Sequence, residues 1–238
     1  MHELFITLFY QPLLNLLIFI YNTIPGHDLG VSILLLTLLV KAILFPLSWK
    51  QIVAQQQMQE MQPRIQAIKE KHKDDKQAFM QAQMELFKEH KVNPLASCLP
   101  LLVQLPFLIA LFYVFRSGIQ AKDLNLLYPF IINPGTLNHT FLGLFSVTTN
   151  HNIILAVITG VLQFFQAKLM LPKAQPKKEN AKEDDFATIM NQQMLYMMPI
   201  FTGIMSYQFP SGLGIYWAMQ TLLAVLQQKL FMRKKKAA

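Results

Sequence analysis

One lysine inside an otherwise apolar stretch is the strongest chemical signal in the sequence. In residues 29–49 the only charged side chain is Lys41, which lies near the middle. A charge at that depth in a membrane costs roughly 2.5 to 3.5 kcal/mol, so it usually faces water or protein and has a function. Thr37 lies on the same helical side, which indicates a hydrated environment. We expect neither snorkelling nor ion pairing, because both ends are distant and no apolar stretch holds a carboxylate.

Uncharged polar side chains recur in the other apolar stretches. Each amide alone is more often a hydrogen bond between helices than a binding site. Combined with an unpaired lysine, they predict one polar cavity between helices, with a positive charge and uncharged walls. The side chains are Gln104, Gln163, Gln166 and Gln220, with Tyr216 and Trp217 beside the last.

The sequence has none of the familiar patterns of an active site. It lacks Gly-x-Ser-x-Gly, His-Glu-x-x-His, a glycine-rich phosphate loop, and a carboxylate pair within an apolar stretch. Its 6 histidines lie outside the apolar stretches, and its single cysteine, Cys98, excludes an internal disulfide or a thiolate cage. We therefore expect a protein that is not an enzyme and that uses no cofactor or metal.

The composition is typical of an integral membrane protein. Of 238 residues, 53% are hydrophobic and only 14% are charged, whereas a soluble domain carries about 25% charged residues. One transmembrane helix needs about 20 apolar residues, and a turn at residues 209–213 divides the longest stretch in two. We predict an all-α fold with five transmembrane helices, within residues 29–49, 95–115, 153–171 and, twice, 186–228.

The distribution of basic residues predicts the orientation. The connections 50–91 and 172–185 hold eight and four Lys or Arg residues, whereas 116–152 holds two. Basic connections remain in the cytoplasm. We therefore expect an N-terminus and a segment 116–152 outside, and a cytoplasmic C-terminus.

Residues 4–24 are open to two interpretations. They are long and apolar enough to cross a membrane. Polar residues nevertheless fall on one helical side, which favours a helix lying in the membrane interface. We prefer the interfacial helix and keep the spanning helix as the alternative. The polar residues are Glu3, Thr7, Gln11, Asn15 and Asn22.

Two cytoplasmic regions each have a structural and a functional interpretation. The connection 50–91 predicts a helical hairpin with a charged turn near residues 72–75. Its apolar sides either satisfy each other or form a docking surface. The tail with Arg233, Lys234, Lys235 and Lys236 either anchors the chain at anionic lipid or binds ribosomal RNA phosphates.

Several motifs together resemble a known family. They are TLLVKAILFPL at 37–47, QPRIQA at 62–67, KVNPL at 91–95, LPLLVQLP at 99–106 and FPSGL at 209–213, followed by Tyr216 and Trp217. With these motifs the chain resembles the YidC/Oxa-type membrane protein insertases. The resemblance implies five helices around a positively charged hydrophilic groove, open to cytoplasm and lipid, with an external amphipathic helix before them.

The resemblance divides the chain and suggests its partners. The divisions are the external helix 1–27, a first transmembrane helix 28–54, a cytoplasmic hairpin 55–92, four further transmembrane helices within 93–232, and the tail 233–238. The expected location is the bacterial inner membrane. The expected partners are nascent membrane proteins, the ribosome, membrane lipids and the Sec translocon, but no DNA.

The predicted function is a membrane protein insertase and chaperone. Its groove would be lined by Lys41, Thr37, Gln104, Gln163, Gln166, Tyr216, Trp217 and Gln220. The sequence departs from the family in having Lys41 where an arginine is typical, and we have no account of the long segment 136–150. An anion channel with Lys41 as its selectivity charge is the rival, and a chaperone that only holds other membrane proteins is the third reading.

Overall fold

The protein is described by a computed structural model, and its fold is almost entirely helical. For helical residues 2, 76, 99–103, 121–122 and 232–237 the backbone alone is described. The structure describes residues 2–72, 75–90, 92–93, 99–116, 119, 121–171 and 192–237.

Nine helices account for most of the described residues. The helix α1 (Glu3–Thr23) contains a π-helical turn at Ile6–Tyr10. The helix α8 consists of a π-helical turn, Gln193–Met197, followed by an α-helical part, Met198–Gln208. The others are α2 (Leu29–Ile43), α3 (Phe45–Lys71), α4 (Lys76–Glu89), α5 (Leu99–Arg116), α6 (Ala121–Leu124), α7 (Ile153–Met170) and α9 (Ser211–Ala237).

The first predicted transmembrane helix is broken near its C-terminal end. The axes of α2 and α3 differ by 66° at Leu44. Pro46 has no N–H to donate to the Ala42 carbonyl, and its ring clashes with that carbonyl, so the helix bends there. The expected division at residue 54 has no counterpart in the backbone, because α3 continues from Phe45 to Lys71 as one helix.

By length and composition, α1 and α7 could each cross a membrane, and the bent pair α2–α3 could form a third span. In α5 the apolar part Gln104–Arg116 is a shorter helix. Large apolar side chains on α7 and α8 are exposed, for example Ile154 and Ile200, as expected of surfaces in contact with lipid. The membrane protein class is confirmed, and the number of five spans stays a prediction.

The helix α1 packs into the main core by its apolar side. Leu14, Leu17 and Ile18 are completely buried. On its polar side, the Asn15 side chain donates to the Leu126 carbonyl (3.0 Å) and accepts from the Tyr128 N–H (2.6 Å). The polar residues at positions 11, 15 and 22 thus contact segment 123–138, whereas Thr7 lies within the π-helical turn and donates to the Glu3 carbonyl.

Segment 136–150, for which the sequence offered no account, joins the ends of three helices. It forms a small antiparallel hairpin of β1 (Thr140–Phe141) and β2 (Phe145–Ser146). The Val147 carbonyl accepts from the Gly212 N–H (2.6 Å), and the Thr149 carbonyl accepts from both the N–H and the hydroxyl of Ser211. This segment therefore fixes the first turn of α9, and Ser211 is an anchor as well as a turn residue.

The helices α7 and α8 pack closely through two glycines. The Cα atoms of Gly160 and Gly203 face each other, and a Cβ at either position would lie 3.2 Å from a backbone oxygen of the other helix. Small residues at a crossing let two helix backbones approach. Nearby, the buried hydroxyls of Thr159 and Ser206 lie 3.2 Å apart.

The helices α3 and α4 form a helical hairpin. α3 ends at Lys71, and α4 begins after Asp75, whose carboxylate accepts from the N–H groups of Gln77 and Ala78 as an N-cap. A second core joins the two helices through Met61, Ile65 and Phe87, while Met80 and Met84 remain exposed. The apolar sides thus satisfy each other in part.

The contacts of Asn15 predict a stability effect. Asn15→Leu should lower the free energy of unfolding by about 1–3 kcal/mol, because the partly buried Tyr128 N–H loses its acceptor. Thr7→Val is the control, since Thr7 is exposed and donates only to the Glu3 carbonyl of its own helix. Thermal unfolding of both variants in one detergent measures the difference. Equal midpoints for the two variants would contradict the docking of α1 by its polar side.

Candidate functional site

Lys41 lies in the last turn of α2, at the bend. Its neighbours at positions 37 and 40 are buried, and Lys41 is partly exposed at the edge of that buried side. Among the described residues no hydrogen bond or ion pair to its ammonium is recorded. The carbonyl end of a helix carries a partial negative charge, which stabilises a cation in the last turn. The bend thus gives Lys41 a favourable backbone environment without a carboxylate.

The structure brings together three of the predicted polar residues from two helices. The Gln104 amide on α5 donates to the Tyr216 hydroxyl on α9, and the Gln220 amide donates to the Gln104 Oε1 atom (2.8 Å). Tyr216 is only 2% exposed. Its ring therefore belongs to the core, and its hydroxyl is the part available to a polar network.

The other predicted residues differ in their surroundings. Thr37 is completely buried, and its hydroxyl donates to the Ile33 carbonyl one turn earlier (2.7 Å), so it does not present a polar group to a groove. Gln163 and Gln166 on α7, like Trp217 on α9, are half-buried. Within the described part of the chain, the two α7 amides have no hydrogen-bond partner.

Three side-chain polar atoms are buried without a partner among the described residues. One is the Nδ1 atom of His139, and the other two lie on α9: the Oε1 atom of Gln220 and the Nε2 atom of Gln227. A buried polar atom that makes no hydrogen bond is costly and calls for water or a ligand. The two α9 atoms, together with Lys41 and the α7 amides, place polar groups without a described partner on three helices of the bundle.

The C-terminal end of α7 is closed by glutamines that the sequence analysis missed. The Gln228 amide on α9 donates to the Leu169 carbonyl (3.1 Å), and the Gln59 amide on α3 donates to the Met170 carbonyl. Gln55 reaches Met170 as well (3.5 Å). The last carbonyls of a helix lack partners within it, so these side chains act as caps. The glutamine-rich composition of residues 51–59 was the available signal.

Comparison with known proteins decides the family. Residues 19–238 match the family described as 60Kd inner membrane protein. The chain belongs to this family. It is 37% identical over 227 residues to the membrane protein insertase YidC of Fusobacterium nucleatum, which covers 94% of this chain and 97% of that relative. The YidC of Oceanobacillus iheyensis is 35% identical, over 84% of this chain and 73% of its own.

Other relatives in the family are longer. The YidC of Pelobacter propionicus is 33% identical over 93% of this chain, but over only 38% of its own length. A solved structure described as an active YidC insertase with its first transmembrane domain resolved matches with a TM-score of 0.63 and 26% identity, over 93% of this chain and 45% of that chain. The resemblance to YidC/Oxa-type insertases and the helical membrane fold are thereby confirmed.

Two predicted site regions lie partly or wholly outside the described residues. The helix α9 continues through positions 233–236, but the side chains of Arg233, Lys234, Lys235 and Lys236 are not described. Connection 172–185 is also outside the described part. Among described residues, no group of three or more His, Cys, Asp or Glu could hold a metal ion.

The network at Gln104 can be tested by a double-mutant cycle. Gln104→Leu should lower the free energy of unfolding by about 1–3 kcal/mol, because the buried Tyr216 hydroxyl loses its donor. When Tyr216→Phe is already present, the same change should cost less, with a coupling of about 0.5 kcal/mol or more. Gln163→Leu is the matched control, since no described partner is lost. Additive effects of the two substitutions would contradict the network.

Proposed function

We propose that this chain inserts nascent membrane proteins into the inner membrane and assists their folding, as the names of its relatives state for them. The observation that carries the proposal is the set of polar groups without a described partner on three helices, Lys41 among them, in an otherwise apolar helix bundle. Such groups draw water into the membrane region. A hydrated surface shortens the apolar path that a polar segment of a client must cross.

Three helices, α2, α7 and α9, contribute side chains to this mechanism. Lys41 attracts the acidic outer segment of a client through its positive charge. Gln163 and Gln166 on α7 and the free Oε1 atom of Gln220 exchange hydrogen bonds with the passing backbone. Trp217 contacts the apolar segment, which then leaves into lipid because burial of about 20 apolar residues is favourable. The process makes and breaks no covalent bond, so the protein acts without being an enzyme.

The burial of Tyr216 and Thr37 changes the set of residues that we assign to the groove. Both residues are buried, and Thr37 bonds within its own helix. Tyr216 positions Gln104, which in turn orients the Gln220 amide. We therefore assign Tyr216 a positioning role and Thr37 a packing role. Lys41 and the glutamines remain as the groups that meet the client.

Substitution of Lys41 tests the mechanism. Lys41→Arg should retain insertion, because the charge is kept. Lys41→Glu should slow insertion of a client with an acidic outer segment by about tenfold or more, equivalent to about 1.4 kcal/mol in the barrier. A client with a neutral outer segment is the control and should be affected less. Reconstituted vesicles measure both rates, and unchanged insertion by Lys41→Glu would overturn the role of the charge.

The contacts of α1 support its location at the outer membrane surface. Between Tyr10 and Tyr21, about 16 Å along the helix, α1 bonds repeatedly to the irregular segment 123–138. Irregular backbone facing lipid is not tolerated in the hydrocarbon region. We therefore place α1 in the interface, with the N-terminus outside and the C-terminus in the cytoplasm.

Cysteine labelling tests this orientation. In a Cys98→Ser background, Thr136→Cys should react with a membrane-impermeant reagent added outside intact cells, because segment 116–152 carries few basic residues. Glu85→Cys, exposed on α4, should react only after the membrane is opened. Labelling of both positions from one side would refute the topology.

The basic tail and the hairpin are the proposed contacts with the ribosome, anionic lipids and the Sec translocon. A contact made by four adjacent charges is electrostatic and weakens steeply with salt. Deleting residues 233–238 should therefore reduce co-sedimentation with ribosomes at low salt and have little effect at high salt. Unchanged binding at low salt would leave the tail as a topology anchor only.

A further inference from the structure

The external segment exposes large apolar side chains in its loops. Phe130 and Ile132 are 77% and 78% exposed, and Leu144 in the β1–β2 turn is 73% exposed, with Leu142 beside it at 62%. Phe130, Ile132 and Leu144 are each more exposed than any large apolar side chain on the described helices. Apolar side chains grouped in this way mark a surface that meets lipid or another protein.

Two contacts fix the β1–β2 turn at the end of the first span. The Leu142 N–H donates to the Oδ2 atom of Asp28 (2.6 Å), and Asp28 also caps α2 through the Val31 N–H. A Cβ on Gly30, in the first turn of α2, would lie 2.5 Å from Phe141 side-chain atoms. The turn therefore packs directly against the first turn of α2.

The loop backbone is suited to a region poor in water. The Leu142 N–H is bound by Asp28, and the Leu144 N–H donates to the Phe141 carbonyl (2.8 Å). The Ile132 carbonyl accepts from the Asn22 amide at the end of α1 (2.7 Å). Backbone groups must have partners before a loop can enter the membrane boundary. Three backbone groups at the residues that expose apolar side chains therefore have such partners.

Leu142 adopts a left-handed backbone conformation, with φ of 50°. This conformation is unfavourable for leucine and much easier for asparagine or glycine. The turn therefore presents an apolar side chain at the expense of backbone strain. In addition, Ile153 and Ile154 in the first turn of α7 are each 66% exposed, so the helix surface facing lipid begins at the end of the bundle where this segment lies.

We propose that the turn Leu142–Gly143–Leu144, together with the loop at Phe130 and Ile132, inserts into the membrane leaflet at the outer ends of the spans. The ligand is the phospholipid interface of the same bilayer. The loops thus hold the external segment, and with it α1, at a fixed depth. This inference goes beyond insertion of clients and does not depend on it.

Fluorescence quenching in nanodiscs tests the proposal with the full chain alone. An environment-sensitive NBD probe is attached to Leu144→Cys in a Cys98→Ser background, and Ile132→Cys provides a second site. Thr136→Cys, exposed in the same segment, is the matched control. Lipids with a nitroxide near the glycerol end of the acyl chain serve as the quencher. Equal thermal midpoints of the three labelled proteins ensure that the fold is retained.

The proposal predicts blue-shifted emission and strong loss of fluorescence at positions 144 and 132, and water-like, unquenched emission at 136. Water-like, unquenched emission at 144 overturns it, and the leucines then face water or bind a protein partner absent from the nanodisc. Equal quenching at 136 also overturns it, because the whole segment would then lie on the membrane without specific anchoring by these loops.

Discussion

The absence of water in the hydrocarbon region is the constraint on which this structure depends. Each helix end and each irregular segment near the membrane must find hydrogen-bond partners within the protein. At one end of the bundle, the backbone carbonyls of Val147 and Thr149 accept from the first turn of α9, and the Asp28 carboxylate accepts from the N–H groups of Leu142 and Val31. At the other end, glutamines of α3 and α9 cap the carbonyls of α7. The bundle is thus closed at both ends by hydrogen bonds made within the protein.

Against this background the unsatisfied groups are informative. Lys41, the α7 amides and the free amide atoms of Gln220 and Gln227 lie on three helices that otherwise satisfy the constraint. Retaining unpaired polar groups in such a bundle costs stability. A role in handling polar segments of other membrane proteins explains that cost, because the same groups provide transient partners for a client.

Rigid and adaptable parts are separated along the chain. The Gly160–Gly203 crossing and the buried Thr159–Ser206 pair hold α7 against α8. The bend at Pro46 separates α2, which belongs to this bundle, from α3, which continues into the cytoplasmic hairpin. The hairpin has its own small core, and α3 ties it to the bundle through Gln55 and Gln59 at the end of α7 and through the Trp49 ring against Phe231 of α9. This arrangement leaves Met80 and Met84 free for contacts outside the bundle.

The sequence alone determined the membrane class, the helical fold, the turn of the hairpin near residues 72–75 and the family, because apolar length and local motifs are properties of contiguous residues. It also identified Gln104, Tyr216 and Gln220 as a group. Only the tertiary structure decided that Tyr216 and Thr37 are buried, that α1 turns its polar side to segment 123–138, and that Asp28 holds the β1–β2 turn. These features depend on partners about 110 residues apart, and no local pattern in a single sequence encodes such a pairing.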